Sequence, residues 1–540
     1  LLTDFYRSRG YVDFEIYDVN AELSEEKDAF FVSYNLKEGP QFEFGAIRLT
    51  SSVSGFESSG FNKFLTIKNG ETYSPVAVQS NVLRLEEKLR LQGYDFIRVK
   101  PVVSRDIEQL TLNVNFVLEK GDRVFIERID ISGNTATFDR VLRRQFFVAE
   151  GDPFNPNEIK AASDRITSLG LFSDASVNVI PGGTQSEVII DVEVVEQPTG
   201  TLSFGAGYSS ASGFGGLIEY RERNFLGRGQ SLSFTINTTK DDQRYKLSFF
   251  EPMFLRNDLG LGVNFSLDDT RKQNAAYDTQ NTEFQPYVVY PLGIKSKIKI
   301  DYSITQTELS NPFGVGSLIT NEVNEGKITS SRLGYVFTHD TRLYKLGPKN
   351  GILFNLGQEF IGLGGDKTGF RTTLKAAAQK EAFKEEVKLT AVFEAGLLTY
   401  TSGNSRVMDR FFLGSQKMRG FEPGGLGPRE CLNRQCGVSN NDTLGGENFA
   451  VFRFEAEFPL GLPEEYGFSG GVFYDIGNLW SLQKLNSDVL YEDGSWRQAI
   501  GASIFWNTPI GPLRFNFTEA LKKEIHDRDE SFDLTISTRF

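Results

Sequence analysis

From residue 201 onward, apolar and polar residues alternate with a period of two, as in β-strands that have two unlike faces. The first such segment places four residues on one face: Leu202, Phe204, Ala206 and Tyr208. The last segment does the same with Phe532, Leu534 and Ile536. We count about 16 such segments up to the end of the sequence. That is roughly 20 residues for each strand and its turn, which fits the roughly 10-residue strands of a membrane-spanning β-barrel.

Aromatic residues near the segment ends favour a membrane barrel over a soluble β-sandwich or propeller. Soluble folds of that kind usually have shorter strands and less regular alternation. In membrane barrels, aromatic side chains form girdles where the wall meets the two membrane surfaces. Several aromatic residues lie near predicted strand ends: Tyr220, Phe225, Tyr287, Tyr290, Phe411, Phe412, Tyr474, Trp480 and Trp506. The sequence therefore predicts an all-β transmembrane barrel of about 16 antiparallel strands over residues 200–540.

The first 200 residues show a different pattern, a repeat with a period of about 80 residues. Amphipathic helical segments at 2–11, 85–94 and 162–171 each contain a glycine that suits a left-handed helix C-cap: Gly10, Gly93 and Gly170. Two strands follow each glycine. A period of this length is too long for a solenoid unit and indicates small repeated α+β domains.

Each complete repeat has the predicted order strand, helix, helix, strand, strand. Residues 41–121 and 122–199 hold complete repeats, whereas residues 1–40 hold only the C-terminal half of one. Because residues 1–6 already resemble part of a helix, we expect the sequence to begin inside a domain. The predicted fold class is therefore α+β repeats followed by an all-β barrel.

Net charge and cysteine content narrow the classes of function. The formal net charge of −13 argues against a nucleic-acid-binding protein, which normally carries a basic surface. No stretch approaches 18 consecutive apolar residues, so we expect neither a membrane-spanning helix nor a signal peptide. Cys431 and Cys436 have no histidine or third cysteine nearby. We interpret them as a small loop disulfide formed in an oxidising compartment, not as a metal or redox site.

Few residues suggest enzymatic chemistry. His339 and His526 are remote from each other and from the cysteines, and we interpret both as solvated turn histidines. The glycine clusters at 213–216 and 362–365 lack the Lys-Ser/Thr pair and the following helix of a phosphate-binding loop. We therefore expect no catalytic residue, no cofactor and no metal.

The segment from Thr401 to Glu447 is the longest stretch without clear alternation, and long loops of this kind are often functional. It contains Met418–Phe421, then a run rich in Gly and Pro, then the two cysteines. Arg419 in such a loop is either solvated or buried against carboxylates, because an unpaired buried charge is costly. The acidic candidates on the next two strands are Glu455 or Glu457 and Asp475. Alternation alone does not choose between the first two.

Over essentially its whole length, the chain resembles the outer-membrane insertase superfamily. Residues 124–198 resemble a barrel-proximal POTRA domain, with Ile-Ser-Gly-Asn-Thr and Leu-Gly-Leu-Phe at the expected places. Residues 41–121 resemble the preceding POTRA domain, and residues 1–40 half of another. The final residue, Phe540, matches the C-terminal aromatic signal of outer-membrane barrels.

The same resemblance assigns a role to the long loop, 402–447. In this family, a Val/Ile-Arg-Gly-Phe motif in the sixth extracellular loop is anchored inside the barrel by acidic residues. Four residues match it with one change at the first position: Met418, Arg419, Gly420 and Phe421. The resemblance implies that the loop folds into the lumen as a latch, with Glu455 and Asp475 as its acidic partners. A cysteine pair in this loop is also familiar from the family.

By resemblance, the protein is a non-enzymatic assembly factor of the bacterial outer membrane, with its POTRA domains in the periplasm. Its partners would be unfolded outer-membrane proteins, periplasmic-side accessory lipoproteins and outer-membrane lipids. POTRA strand edges would bind clients by β-augmentation, and the barrel would open sideways between its first and last strands. Five residues mark this predicted seam: Gly200, Gly205, Gly207, Ser531 and Phe540.

Two other functions stay open on the sequence alone. Related translocation barrels, such as TamA-like proteins and two-partner secretion transporters, also carry POTRA domains and an Arg-Gly-aromatic motif. The cysteine pair and Phe421 favour the assembly factors over these. A passive porin is less compatible with the POTRA repeats and with a loop that plugs the lumen.

Overall fold

The computed structural model describes most of the chain. The described residues are 2–23, 30–54, 56–94, 96–121, 123–209, 213–240, 242–255, 258–271, 277–293, 295–312, 316–342, 350–363, 367–383, 387–436, 441–463, 466–483, 486–508 and 511–539. The chain divides into two compact units: Leu1–Thr135 with Asp139–Glu196, and Ala136–Phe138 with Gln197–Phe540.

The first unit contains the repeated α+β domains. Its incomplete repeat consists of α1 (Leu2–Arg7), β1 (Glu15–Leu23) and β2 (Phe30–Lys37). The next repeat consists of β3 (Glu43–Ser51), a 3-10 helix (Ser59–Phe64), α2 (Pro75–Arg90), β4 (Ile97–Asp106) and β5 (Thr111–Lys120). The last consists of β6 (Phe125–Ser132), α3 (Asp139–Arg143), α4 (Pro156–Ser168), β7 (Phe172–Pro181) and β8 (Glu187–Glu196).

Both complete repeats build the same sheet. Strand β5 lies between β3, which is parallel to it, and β4, which is antiparallel. Strand β8 lies in the same way between β6 and β7. Each sheet therefore leaves two of its three strands as edges. The predicted element order is observed, except that the first helix of the earlier repeat is a six-residue 3-10 turn. That segment contains Gly60, and glycine is a poor α-helix former.

Side-chain hydrogen bonds and glycine conformations explain where the longer helices begin and end. Ser74 and Asn155 accept hydrogen bonds from the backbone N–H groups of Ala77 (3.4 Å) and Asn157 (3.0 Å), so each side chain caps the helix it precedes. At the other ends, Gly93 and Gly170 adopt left-handed φ angles of +85° and +64°. Glycine takes this conformation at the least steric cost.

In the second unit, sixteen described strands close into an antiparallel barrel, which confirms the predicted strand number. In chain order its first eight strands are β9 (Gly200–Ser209), β10 (Gly213–Phe225), β11 (Gln230–Thr239), β12 (Asp242–Phe254), β13 (Leu259–Arg271), β14 (Asp278–Pro291), β15 (Ser296–Ser310) and β16 (Ile328–Asp340). The next three are β17 (Gly351–Ile361), β18 (Thr368–Ala382) and β19 (Val387–Ser402).

Short elements lie in some of the loops that connect the remaining barrel strands. The barrel strands are β22 (Asn448–Pro459), β23 (Phe468–Trp480), β25 (Arg497–Thr508), β26 (Gly511–Lys522) and β27 (Phe532–Arg539). A small separate sheet is formed by β20 (Arg429–Glu430), β21 (Asp442–Thr443) and β24 (Val489–Leu490). Helix α5 (Ser317–Asn324) lies in the connection between β15 and β16. Within the described ranges, none of the helices has the length and apolar character needed to cross a membrane.

Alternation along the strands separates the two faces of the barrel wall. Leu202 and Phe204 are 57% and 52% exposed, as expected for an outward apolar face. Of the residues predicted to form an aromatic girdle, Tyr220, Tyr290 and Trp506 are also exposed. It is wrong for Phe411, which is buried and packs on Phe449 with ring centroids 4.8 Å apart. Phe411 belongs to the loop that follows β19, and this loop packs against the inner wall of the barrel.

Candidate functional site

In the connection between β19 and β22, the described residues 403–436 and 441–447 include many buried side chains that pack against the inner wall of the barrel. Its apolar side chains Met418, Phe421 and Leu426 are fully buried. They share one cluster with inward-facing residues of four strands: Leu398, Phe449, Val451, Leu479 and Ala499. Burial of this apolar area stabilises the loop against the wall.

Arg419 is held mainly by Asp475 of β23. Its Nε donates to Asp475 Oδ2 at 2.8 Å and its Nη2 donates to Asp475 Oδ1 at 2.6 Å. The backbone N–H of Arg419 also donates to Asp475 Oδ2, at 3.0 Å. Asp475 is fully buried. A bidentate pair with an added backbone bond fixes both the position and the orientation of the loop.

A second carboxylate and an aromatic ring complete the surroundings of Arg419. Its Nη1 donates to Glu455 Oε2, which also accepts from Arg514 Nη2 at 2.6 Å. The guanidinium carbon lies 3.7 Å from the ring centroid of Phe473, which is a cation–π contact. Burial lowers the pKa of Arg419, but the hydrogen bonds and charges of Asp475 and Glu455 outweigh it and leave the pKa above its ordinary value. Arg419 is therefore a buried and charged group.

The structure separates the two glutamates between which alternation could not choose. Glu455 and Glu457 are two residues apart on β22, so both face the lumen. Glu457 lies 3.8 Å from Lys388 and accepts from the hydroxyl of Ser469. Glu455 is the one that contacts Arg419. Lys388 of β19 lies beside Glu457, and Arg514 of β26 lies beside Glu455. The positions of these cations on other strands distinguish the two glutamates.

Close packing explains the other residues of the motif. Gly420 has a φ of +86°, and a Cβ at this position would lie 2.6 Å from Thr518 Cγ2 on β26. Both the backbone conformation and the space therefore require glycine. Met418 Sδ lies 2.7 Å from where a Cβ at Gly477 would be, so this glycine of β23 makes room for Met418.

The described part of the predicted seam is the pairing of β9 with β27. Thr535–Arg539 pair with Gly205–Ser209, a ladder five residues long, whereas β9 and β10 pair over ten residues. Gly205 and Gly207 lie within this ladder. Gly200 pairs with Glu222 of β10, and Ser531 precedes β27, its carbonyl accepting from Thr518 N–H at 2.8 Å. Phe540 lies outside the described residues.

The outer part of the loop carries the two cysteines and holds helix α5. A disulfide joins Cys431 to Cys436. Glu430 accepts from the backbone N–H of Leu318 at 3.1 Å, and Asp442 accepts from that of Gly316 at 2.7 Å. Two buried carboxylates thus accept hydrogen bonds from N–H groups at the start of the helix, which have no partner within the helix.

Several polar and charged residues of the site were not identified from the sequence. Arg514, Asn516 and Thr518 alternate with apolar residues along β26, and this pattern marks them as lumen-facing. The buried pair of Arg497 and Asp527 had no such signal, because Asp527 lies in a loop. The same holds for Arg410 and Glu322, which join the long loop to α5 at 3.2 Å.

Comparison with known proteins identifies the family. The Omp85 superfamily domain matches residues 224–540. The chain belongs to the Omp85 superfamily. The POTRA family, described as a surface antigen variable number repeat, matches residues 124–197.

Among relatives of this Omp85 chain, the outer membrane protein assembly factor BamA of Neorickettsia risticii is 28% identical over 100% of the chain and 71% of its own length. BamA of Neisseria meningitidis serogroup B is 24% identical over 100% of the chain and 72% of its own length. The crystal structure of Haemophilus ducreyi BamA lacking POTRA domains 1–3 has a TM-score of 0.68 at 20% identity, covering 92% of this chain and 100% of that one. That likeness extends to the fold of both units.

Removal of the Arg419 side chain tests its contribution to barrel stability. Arg419→Ala leaves Asp475 buried without its counter-charge, and breaking a buried pair costs about 3–5 kcal/mol. We expect the temperature at which the barrel loses its fast, folded migration on gels to fall. Arg453→Ala is the matched control, because Arg453 also faces the lumen but its partner Glu394 keeps Lys375 at 3.2 Å. Equal losses in the two variants would contradict a special role for Arg419.

The pKa of Asp442 predicts a pH dependence of the loop. Burial raises this pKa to about 6, with the charge of Glu430 adding to the effect and the N–H of Gly316 opposing it. Because the folded loop binds a proton more tightly than the unfolded chain, its stability is higher at pH 5 and falls as the pH rises through 6. We expect the amide of Leu444 to exchange hydrogen more slowly at pH 5 than at pH 7, after correction for intrinsic rates. The difference should shrink in Asp442→Asn, and an unchanged difference would contradict the assignment.

Proposed function

We propose that this protein folds unfolded β-barrel proteins and inserts them into the bacterial outer membrane, with its POTRA domains in the periplasm. Membership of the Omp85 superfamily and similarity to relatives named outer membrane protein assembly factor support this function. The reaction needs no covalent chemistry. Its free energy comes from burial of the client's apolar residues in the bilayer.

The observation that carries the proposal is the short pairing of β27. Within the described residues, it pairs with β26 over five residues, Leu513–Phe517 with Phe532–Ile536, and with β9 over five. In a bilayer, each unpaired backbone group costs several kcal/mol, so an open edge is tolerated only when another strand pairs with it. A five-residue ladder gives up few hydrogen bonds when it opens. A client strand that adds to β9 would restore them, and each added strand would template the next.

The loop inside the barrel and the POTRA sheets support two further steps of the proposed function, which are the sideways exit of the client and its binding in the periplasm. The described part of the loop, residues 403–436 and 441–447, packs against the inner wall, which favours a client strand that leaves sideways through the seam over one that crosses a pore. Strands β4 and β7 are sheet edges, and an edge strand can accept an extended client peptide by β-augmentation. We propose accessory lipoproteins on the periplasmic side and outer-membrane lipids as further partners, in line with the family.

Reconstitution tests the proposed function. The full chain is placed in phospholipid liposomes, and a urea-unfolded eight-stranded outer-membrane barrel is added as the client. We expect folding, followed by heat-modifiable gel migration and protease protection, to be several-fold faster than in empty liposomes. Client folding at the rate of empty liposomes would contradict insertion. A large steady conductance in planar bilayers would indicate a porin.

A disulfide across the seam tests where insertion occurs. Ala206→Cys with Thr538→Cys joins residues that lie opposite each other in the β9–β27 ladder. We expect oxidation to abolish client insertion, reduction to restore it, and the barrel fold to survive both. Ala206→Cys with Gly216→Cys is the matched control, because it joins the same residue of β9 to its partner on β10. An oxidised seam variant that inserts clients like the control would rule out the seam.

A further inference from the structure

A second buried ion pair lies at the extracellular rim, close to the last strand. Arg497, the first residue of β25, donates from Nε to Asp527 Oδ2 at 2.9 Å and from Nη2 to Asp527 Oδ1 at 3.2 Å. Both side chains are fully buried. Arg497 Nη1 also donates to the carbonyl of Ser495 at 2.7 Å, and Asp527 accepts from the N–H of Glu524 at 2.8 Å. The pair therefore fixes the loop between β26 and β27 to the barrel wall.

The residues that follow Asp527 pair with the latch. The N–H of Glu422 donates to the carbonyl of Arg528 at 3.0 Å, and the N–H of Arg528 donates to the carbonyl of Gly425 at 2.8 Å. The N–H of Glu530 donates to the carbonyl of Gly420 at 3.0 Å. Phe421 forms an antiparallel bridge with Asp529. Residues 420–425 and 528–530 thus form a short two-stranded contact between the latch and the start of the seam strand.

The charge of Asp527 also acts on a buried arginine of the long loop. Arg429 is fully buried and donates to Asn441 Oδ1 at 2.8 Å and to the carbonyl of Gly424 at 3.3 Å. Burial lowers the pKa of Arg429 to about 10, and the charge of Asp527 is the largest influence that opposes this shift. Asp527 is therefore the counter-charge of Arg497 by direct contact and of Arg429 at longer range.

These contacts end at Glu530, two residues before β27 begins at Phe532. Within the described residues, the ladder between β27 and β9 begins at Thr535, and Phe532–Ile536 pair with β26. The start of β27 is therefore joined to β26 by this ladder and, through residues 528–530, to the loop that precedes it. That loop is held by Arg497 and by the latch.

We infer that Arg497 and Asp527 are a positioning pair that, with the backbone contact between 420–425 and 528–530, sets how readily β27 separates from β9. The inference rests on the proposed function only for its link to client insertion. The pair acts on the seam strand and not on the client, so loss of the pair increases seam opening before any client is present.

Hydrogen exchange of the seam amides measures this opening directly. In Asp527→Asn, we expect the amides of Thr535–Arg539 to exchange at least several-fold faster than in the parent protein. Glu322→Gln is the matched control. It breaks a pair that is also buried, Arg410 with Glu322, between the long loop and α5, which lies between β15 and β16. Both variants leave a buried arginine without its carboxylate, so both lose stability, but only the first should change exchange at the seam.

A conservative variant of Arg497 distinguishes the effect of its charge from that of its bidentate contact. It also keeps the inference testable if Asp527→Asn does not fold. Arg497→Lys keeps the positive charge and loses the bidentate contact, so its exchange at Thr535–Arg539 should lie between those of the parent and Arg497→Gln. Equal acceleration in Asp527→Asn and Glu322→Gln, or seam exchange in Arg497→Gln that matches the parent, would overturn the inference.

The client-insertion assay is the second test. It distinguishes a failure of this inference from a failure of the proposed function. If the parent protein does not accelerate client folding in liposomes, the proposed function fails, while seam exchange still decides the role of the pair. If the parent is active, we expect the liposome assay to change in Asp527→Asn by more than in Glu322→Gln. Faster seam exchange without a changed insertion rate would overturn the link between this pair and insertion.

Discussion

Backbone hydrogen bonding in a bilayer is the constraint on which the rest of this structure depends. Each strand of the barrel needs a partner on both sides, because lipid offers none. In the described part of the chain, β27 meets this requirement over ladders of five residues on both sides, whereas β9 and β10 pair over ten. Among the described residues, the two ladders of β27 are the shortest in the barrel wall. In the function that we propose, another element must hold this short closure in place until a client arrives.

That element is the loop inside the barrel, and its chemistry follows from the cost of buried charge. Arg419 is buried, so the loop binds only where carboxylates already face the lumen, at Asp475 and Glu455. Removal of Arg419 leaves Asp475 without a counter-charge, whereas Glu455 keeps Arg514. The pair thus specifies one position for the loop, while the apolar cluster around Met418 and Phe421 supplies favourable burial. Specificity and stabilisation come from different side chains of the same four residues.

Much of this arrangement could be read from the sequence, and the failures have physical causes. Alternation with a period of two separates the faces of the wall, and it predicted the barrel and its strand number. The same period places both Glu455 and Glu457 in the lumen, so the choice of partner needed the positions of Lys388 and Arg514 on other strands. Phe411 was assigned to the wall because a loop that packs inside a barrel has the same aromatic content as a girdle. Arg497 and Asp527 lie at a strand end and in a loop, where no period exists to pair them.

The latch and the seam are joined by backbone as well as by charge. Glu530 donates to the carbonyl of Gly420, the residue next to Arg419, and Phe532 begins β27 two residues later. A displacement of the latch from Asp475 would therefore strain or break hydrogen bonds to the segment that leads into the seam strand. The reverse also holds, because coupling between two elements is reciprocal. A client strand that displaces β27 would loosen the contact with the latch, so the energy that holds the lumen loop in place also opposes opening of the wall.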